Sequence, residues 1–265
     1  MNPPCILAEE DHAYGSQVHI LADPYLRSLL ARACVPETVQ PEMNRLISAC
    51  YEGLVRAALV KEFPRTRIDW PTRMAASEPR AVLRHEIIDR RTRTITVNVA
   101  RAGTLPSQVA FDVLHTVIDP ELIRQDHVVM NRVTDEKGQV TGTSVHGSKI
   151  GGGVEGAMVL FPDPMAATGG SMARAIDIYQ NEVEGTPRGL VALHLIVTPE
   201  YLKKITGLHP EVPIYALRLD RGLSPEDVLA CRPGERWDEE RGLDDRQYIV
   251  PGGGGFGELM NNAEF

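Results

Sequence analysis

Residues 159–171 join an apolar run, an acidic residue and a glycine-rich helix start. Residues 159–161 are apolar, Asp163 follows them, and residues 168–171 read Thr-Gly-Gly-Ser at the head of an amphipathic stretch. Glycines leave backbone N–H groups open to an anion, and a helix N-terminus adds partial positive charge. Asp163 would repel a phosphate, but its carboxylate accepts hydrogen bonds from sugar hydroxyls. The pattern predicts a sugar-phosphate site, although a capped turn without any ligand uses the same residue types.

Residues 163–171, named the phosphate loop below, have the form Asp-Pro-Met-x-Ala-Thr-Gly-Gly-Ser. This segment resembles the phosphoribosyl-diphosphate (PRPP) signature of type I phosphoribosyltransferases, and its form is similar to that of uracil phosphoribosyltransferases. Stretches at residues 97–103, 128–132 and 248–252 resemble the same family in the same order. The order and spacing agree over about residues 20–258. A chance match of single motifs does not explain that agreement.

The resemblance implies an enzyme that moves the 5-phosphoribosyl group from PRPP to a ring nitrogen of a nucleobase. With uracil as the expected base, the products are UMP and diphosphate, as in pyrimidine salvage. The family's transfer passes through an oxocarbenium-like state while diphosphate leaves, which gives Asp163 and Arg101 catalytic roles. The guanidinium fork of Arg101 matches phosphate oxygens. Mg²⁺ is expected to arrive with PRPP, bound through substrate oxygens and water, and no dedicated metal site is expected on the protein.

The residues that contact each substrate follow from the same resemblance. Contacts to PRPP are expected from Arg101, Ala102, Gly103, Arg132, Asp163, Pro164, Met165, Ala166, Ala167, Thr168, Gly169, Gly170 and Ser171. Contacts to the base are expected from Ile249, Gly254, Gly255 and Phe256. Below, residues 100–103 are named the diphosphate loop and residues 247–258 the hood.

The hood departs from the family pattern. After Tyr-Ile-Val-Pro-Gly the family continues Leu-Gly-Asp-Ala-Gly-Asp, whereas residues 253–258 read Gly-Gly-Gly-Phe-Gly-Glu. The family's PRPP-contacting Asp falls on Gly255, and its small Ala falls on Phe256, which either enters the base pocket or packs elsewhere. Glu258 replaces the lost acid only if the loop is rebuilt. An active transferase for uracil or another base and a regulatory PRPP- or nucleotide-binding homologue with weak or no catalysis therefore both stay open.

Composition excludes several other classes of protein. The chain has 265 residues, 43% of them apolar, and a formal net charge of -8, which argues against nonspecific binding to nucleic acid or anionic membranes. Its four cysteines form no CxxC pair, so we expect neither a disulfide framework nor a zinc site, and a cytoplasmic location. No signal peptide and no apolar run of about 20 residues is recognisable.

Apolar runs alternate with amphipathic stretches from residue 94 onward, which predicts a mainly parallel α/β sheet covered by helices on both faces. The resemblance identifies this as the type I phosphoribosyltransferase fold. We expect a single domain over residues 1–265, with an irregular arm at 1–20 followed by an N-terminal helical annex. A flap hairpin is expected at 133–147, and an inserted loop plus the hood at 223–265.

Further expectations concern single segments. We expect a loop at 64–79 and a last short strand at 247–250. The glycines at 151–153 suggest a flexible hinge behind the flap, and the apolar surroundings of His115 and His194 indicate core residues. The family's assemblies, formed through N-terminal helices and hairpin arms, imply a homodimer or larger homo-oligomer. GTP activation, known for some relatives, has no indicator among these residues.

Overall fold

Strands and helices alternate along most of the chain, as the hydrophobic pattern predicts. The computed structural model describes residues 7–134 and 140–263, and the side chains of residues 131–143 lie outside that description. The strands are β1 (Val18–Ile20), β2 (Arg65–Pro71), β3 (Val82–Ile88), β4 (Thr94–Ala100), β5 (Ile123–Thr134), β6 (Val140–Lys149), β7 (Met158–Pro162), β8 (Met165–Ala166), β9 (Gly189–Val197) and β10 (Ile214–Leu219). The helices are α1 (Pro24–Ala33), α2 (Glu42–Glu62), α3 (Thr104–Leu114), α4 (Gly170–Asp177), α5 (Pro199–Leu208), α6 (Glu226–Leu229) and α7 (Phe256–Leu259).

The main sheet has the strand order β1-β10-β9-β7-β4-β5-β6, with β8 added beside β9. Neighbouring strands in it are parallel, apart from the antiparallel pair β5–β6. Successive side chains of a strand point to opposite faces, so β9 places Leu193 against α1, α2 and α3, and Ala192 against α4 and α5. Helices therefore cover both faces, which confirms the predicted α/β class.

The adjacent strands β4 and β7 position the two loops that the sequence marks for chemistry. They are parallel and paired from Thr94–Met158 to Thr96–Leu160, so both end at the same edge of the sheet. The diphosphate loop follows β4 and the phosphate loop follows β7. The carboxyl edge of a parallel sheet is where ligands bind in open α/β folds.

Two segments near the N-terminus differ from the sequence expectation. Residues 18–20 of the arm form β1, which pairs with β10. Within the expected loop at 64–79, residues Arg65–Pro71 form β2, and β2 pairs with β3 as a separate two-stranded antiparallel sheet. Most side chains of β2 are exposed, so its sequence has no apolar alternation by which a strand could be recognised.

The expected strand at 247–250 is wrong. In this segment the structure has a single bridge between Leu243 and Ile249, because the chain turns sharply just before it. Gln247 has a left-handed φ of 65°, and its N–H donates to the carbonyl of Asp244. The Asp244 carboxylate accepts the N–H of Arg246 and of Tyr248, which stabilises a turn in place of a strand.

The flap hairpin begins earlier than expected, since β5 and β6 already pair at His127 and Lys149. Its tip, residues 135–139, lies outside the described residues. The glycines behind it are held by hydrogen bonds: Arg124 donates to the carbonyls of Gly152 and Gly153, and the buried Asp126 accepts the N–H of Gly151. These bonds connect residues 151–153 to β5, and the flexible hinge expected there stays a prediction.

The two histidines assigned to the core differ in the structure. His194 is fully buried, as expected. His115 is exposed at the end of α3, where its Nδ1 lies 2.7 Å from the carbonyl oxygen of Phe111. The ring of His115 lies edge to face against that of Phe111, with centroids 4.4 Å apart. Among the helices of the described ranges, none combines the length and apolar character that a membrane crossing requires.

Candidate active site

The phosphate loop is anchored through its carbonyl groups. The N–H groups of Leu195 and Ile196 both donate to the carbonyl of Pro164 at 3.1 Å, and Thr198 Oγ1 donates to the carbonyl of Ala167 at 2.7 Å. These two carbonyl groups are bonded to β9 and to Thr198, which follows it. The backbone N–H groups of the loop therefore point in other directions. Helix α4 begins at its far end without a side-chain cap, and the first N–H groups of any helix lack intrahelical acceptors. The loop can therefore bind an anion.

Gly169 is required by both backbone conformation and space. Its φ is +77°, which L side chains rarely adopt, and a β-carbon placed there would lie 3.3 Å from Cδ2 of Tyr201. The Tyr201 ring thus packs directly beneath the start of α4. At the loop's other end, Asp163 donates its N–H to the carbonyl of Leu193 at 3.0 Å, and its Oδ1 accepts the N–H of Met165.

The diphosphate loop is tightly packed under its arginine. A β-carbon on Gly103 would lie 2.9 Å from the backbone N and O of Val99 and 3.0 Å from the carbonyl oxygen of Pro162. Glycine at 103 therefore allows the ends of β4 and β7 to approach each other. The peptide bond between Ala100 and Arg101 is cis. The Arg101 guanidinium is half exposed and forms an ion pair with the hood's Glu258, with Nη2 and Oε1 at 3.1 Å.

An ion pair between Arg218 of β10 and the buried Asp220 holds the hood in place. Arg218 and Asp220 bond to each other, and they also bond to both backbone groups of Gly252. The Gly252 N–H donates to Asp220 Oδ2 at 2.8 Å, and Arg218 Nη2 donates to the Gly252 carbonyl at 2.7 Å. Cys34 lies on the other side of Arg218, where burial raises the pKa of its thiol. The hood thus has a defined conformation relative to the sheet.

The replacement of the family's small residue by Phe256 is compensated in volume at Gly253. Phe256 is fully buried and packs in the core on the α1–α2 side. A β-carbon on Gly253 would lie 2.6 Å from its ring, so glycine in place of the family's Leu makes room for Phe in place of Ala. A β-carbon on Gly255 would lie 2.5 Å from Oε2 of Glu258, the end of a half-exposed side chain that can move aside.

The phosphate loop, the diphosphate loop and the hood enclose one pocket of about 890 Å³. The predicted site residues that line it are Arg101, Ala102, Asp163, Met165, Ala166, Ala167, Thr168, Gly169, Ser171, Ile249, Gly254, Gly255 and Phe256. The acids Asp244 and Glu258 also line it. Side chains separated by more than 150 positions in sequence, such as Arg101 and Glu258, thereby share one cavity.

Comparisons with known proteins agree with this geometry. The family model "Uracil phosphoribosyltransferase" matches residues 20–234, more than half of the chain. The chain belongs to the uracil phosphoribosyltransferase family. Members of this family are enzymes of the glycosyltransferase type, and membership confirms the type I phosphoribosyltransferase fold expected from the motifs. The match ends before the hood.

Individual relatives agree over different lengths. A uracil phosphoribosyltransferase of Variovorax paradoxus is 26% identical over 224 residues, which cover 84% of this chain and 97% of that protein. One of Mycoplasmoides gallisepticum is 34% identical over 102 residues, 38% of this chain and only 39% of that protein. The solved structure of AQ2163 protein from Aquifex aeolicus shares the fold, with a TM-score of 0.70 and 21% identity over 93% of this chain and 98% of that one.

The other predicted site residues of this family member lie around the pocket. Gly103 lies beneath the diphosphate loop, Pro164 bonds to β9, and Gly170 is the first residue of α4. Arg132 lies on β5 opposite Thr143, and its side chain is outside the described residues. The contacts of all these residues to PRPP remain predictions. Among the described residues, no group of three or more His, Cys, Asp or Glu could hold a metal ion.

Sequence reasoning missed a layer of side chains behind the pocket. His194 and Tyr201 lie under the phosphate loop, and burial lowers the pKa of His194 to about 4. Asp244 belongs to the segment interpreted as an insertion, yet it lines the pocket. No local pattern identifies these residues, because each acts through partners distant in sequence. Tyr201 alone has a local indicator in the sequence. It lies three residues after Thr198, which caps α5, and therefore falls on the first turn of that helix.

Proposed function

We propose that the protein transfers the 5-phosphoribosyl group from PRPP to a ring nitrogen of uracil, forming UMP and diphosphate. The observation that carries this proposal is the single pocket in which the phosphate loop and Arg101 face the hood. The chain's membership of the uracil phosphoribosyltransferase family supports the same assignment. Each part of the pocket suits one part of the reaction.

The phosphate loop would bind the 5-phosphate through the backbone N–H groups at the start of α4. Asp163, at the end of β7, is placed to accept hydrogen bonds from the ribose hydroxyls. Its negative charge would also favour positive charge developing on the sugar as the bond to diphosphate breaks. The Arg101 fork would neutralise the leaving diphosphate, and its half-exposed position gives the leaving group an open route.

Mg²⁺ would enter with PRPP. Mg²⁺ prefers oxygen ligands and is typically held by one or two carboxylates together with substrate phosphates. In this pocket its ligands would be oxygen atoms of PRPP and water, since no group of carboxylates among the described residues could hold a metal ion. When bound, the ion would neutralise part of the diphosphate charge.

The hood would bind the base through backbone groups near Ile249, Gly254 and Gly255. Phe256 lies at the pocket wall, and its ring is fully buried in the core on the α1–α2 side. The compensated replacements at Gly253 and Phe256 support an intact base pocket and speak for the enzyme over the regulatory homologue. Uracil as the preferred base rests on the family match.

The test is to incubate the purified protein with PRPP, Mg²⁺ and a panel of nucleobases and to measure diphosphate release. We expect release with uracil in a one-to-one ratio with UMP. Release with a different base only would change the substrate that we assign and leave the assigned reaction in place. No release with any base, together with PRPP binding in calorimetry, would overturn the enzyme and leave the regulatory homologue.

A homodimer or larger assembly is part of the proposal. The β2–β3 hairpin forms its own small sheet and exposes Trp70, Met74 and Leu83. A second copy of the chain would remove these apolar side chains from water. Light scattering should show an assembly that Trp70→Ser with Met74→Ser weakens, and an unchanged monomer would contradict it.

The free thiols Cys34, Cys50 and Cys231 suit the reducing cytoplasm that we propose as location.

A further inference from the structure

His194 lies between the phosphate loop and α5 and connects them. Its Nδ1 is 2.6 Å from the backbone carbonyl oxygen of Asp163, and its Nε2 is 2.5 Å from the hydroxyl of Tyr201. The two rings meet edge to face, with centroids 4.8 Å apart. His194 is 0% and Tyr201 1% exposed, so neither side chain offers surface to a substrate. Any effect that they have on the reaction must pass through the residues they hold.

The protons in this chain of hydrogen bonds have a single arrangement. A carbonyl oxygen can only accept, so Nδ1 of His194 carries the hydrogen that the Asp163 carbonyl accepts. Burial lowers the pKa of His194 to about 4, so the ring is neutral and Nε2 must accept. Burial raises the pKa of Tyr201, whose hydroxyl therefore stays protonated and donates. All three groups are satisfied in this arrangement.

Tyr201 carries the connection to the other end of the phosphate loop. Its ring lies against Gly169, the residue that precedes α4, and its N–H donates to Thr198 Oγ1 at 3.0 Å. Thr198 Oγ1 in turn donates to the carbonyl of Ala167. The acid at one end of the loop and the helix start at the other are thus held by one connected set of side chains from β9 and α5.

We propose that His194 and Tyr201 are a positioning pair, which sets the carboxylate of Asp163 relative to the phosphate-binding start of α4. The inference rests on the proposed function, because it assumes that PRPP bridges these two points. A PRPP molecule bound to a displaced loop would lose contacts at the phosphate or at the ribose. Misplacement by about 1 Å is enough to slow a reaction about a hundredfold.

Three variants separate this role from mere packing. His194→Asn keeps an N–H donor near the position of Nδ1, whereas His194→Leu has a similar shape and no donor. Tyr201→Phe keeps the ring beneath Gly169 and leaves Nε2 without a donor. The control is His209→Asn, which changes another buried histidine, whose Nδ1 bonds to Gln180 away from the phosphate loop.

We expect His194→Leu to raise the KM for PRPP and to lower kcat. The resulting kcat/KM, calculated per folded molecule, should fall about tenfold or more. The KM for the base should change less than twofold, since the hood is untouched. His194→Asn should restore most of the loss, and Tyr201→Phe should show a smaller change in the same direction. His209→Asn should lower stability and leave the KM for PRPP unchanged. Purely structural residues would lower stability without this split between the two KM values.

Calorimetry with PRPP separates this inference from the proposed function. If the wild-type protein binds PRPP but releases no diphosphate with any base, the transfer proposal fails, and PRPP affinities of the variants still decide the role of His194. If folded His194→Leu and Tyr201→Phe bind PRPP like wild type, the positioning role is overturned. If His194→Leu does not fold, Tyr201→Phe and His194→Asn carry the test alone. Absence of PRPP binding by the wild-type protein would overturn both proposals.

Discussion

Arg101 of the diphosphate loop and Glu258 of the hood form an ion pair, with Nη2 and Oε1 3.1 Å apart. The cation proposed to bind diphosphate therefore has an acidic partner in the hood. Both side chains are about half exposed, at 54% and 43%, and an exposed pair contributes only about 0.2–1 kcal/mol. Diphosphate carries several negative charges and can therefore replace Glu258 as the partner of Arg101 at a small cost in free energy. Until it does, the ion pair links the hood to the diphosphate loop.

Glu258→Gln should tighten the binding of inorganic diphosphate by about 1.5- to 5-fold, because Arg101 loses its competing partner. Calorimetry at low and high salt measures this, and the gain should shrink as salt screens the charges. Glu239→Gln is the matched control, since Glu239 pairs with Arg236 in a similarly exposed position on the 223–245 segment. Weaker binding by Glu258→Gln would mean that Glu258 helps to hold the ligand.

Asp163→Asn should lower kcat/KM about 10- to 100-fold, because the loss of a charged acceptor costs about 1.5–3 kcal/mol. The amide keeps an oxygen for the N–H of Met165, so the loop conformation should be retained. Initial rates with saturating base measure the effect, and circular dichroism checks the fold. Unchanged turnover would show that the sugar binds elsewhere.

Gly103→Ala should disturb the diphosphate loop, since the added methyl group would press on the backbone of Val99 and Pro162. We expect a loss of about 1–3 kcal/mol in the free energy of unfolding and a marked rise in the KM for PRPP. Gly207→Ala is the control: it lies on α5 with no atom within 4 Å of the added carbon. That change should be neutral or stabilising by up to about 1 kcal/mol. Equal effects at both sites would contradict the packing argument.

Gly253→Leu and Phe256→Ala should each destabilise the protein alone but partly compensate each other. Leu at 253 would overlap the Phe256 ring and Cys34, and Ala at 256 would leave a cavity costing about 3–5 kcal/mol. In the double variant the leucine fills part of that cavity. Urea denaturation of the four proteins should give a coupling energy above about 1 kcal/mol, and additive losses would contradict the exchange.

His194 should make stability depend on pH. Its pKa falls from 6.5 to about 4 on folding, so between these values the unfolded chain binds the extra proton. The free energy of unfolding therefore decreases as pH drops from about 6.5 to about 4, by a total on the order of 3 kcal/mol. The neighbouring Tyr201 and Tyr51 do not titrate in this pH range, because burial raises the pKa of both hydroxyl groups.

Urea denaturation between pH 7 and pH 4 measures this slope. His194→Asn has no titrating group at this position, so its curve should be flatter than that of wild type over the same range. Acids with lowered pKa values, such as Glu9, are present in both proteins and cancel in the difference. Parallel curves would contradict the assignment of a buried neutral imidazole.

Local sequence predicts most of the helices and strands and the chemistry of the two substrate loops. The helix α1 begins where expected, because Asp23 caps it and Pro24 follows. The phosphate loop and Arg101 are recognisable because their function depends on residues adjacent in sequence. The β2 strand and the turn at Gln247 were beyond sequence reasoning, since exposed strands and left-handed non-glycine residues carry no periodic signal.

The residues that complete each loop come from segments that are distant in sequence and meet only in the folded chain. The pairs Arg101–Glu258 and His194–Asp163 join segments that meet because β4, β7, β9 and β10 end at one edge of the sheet. Read along the chain, Gly255 and Phe256 look like losses from the family pattern. In space Phe256 is accommodated by Gly253, because packing depends on the volume that neighbouring side chains fill together and not on any one position.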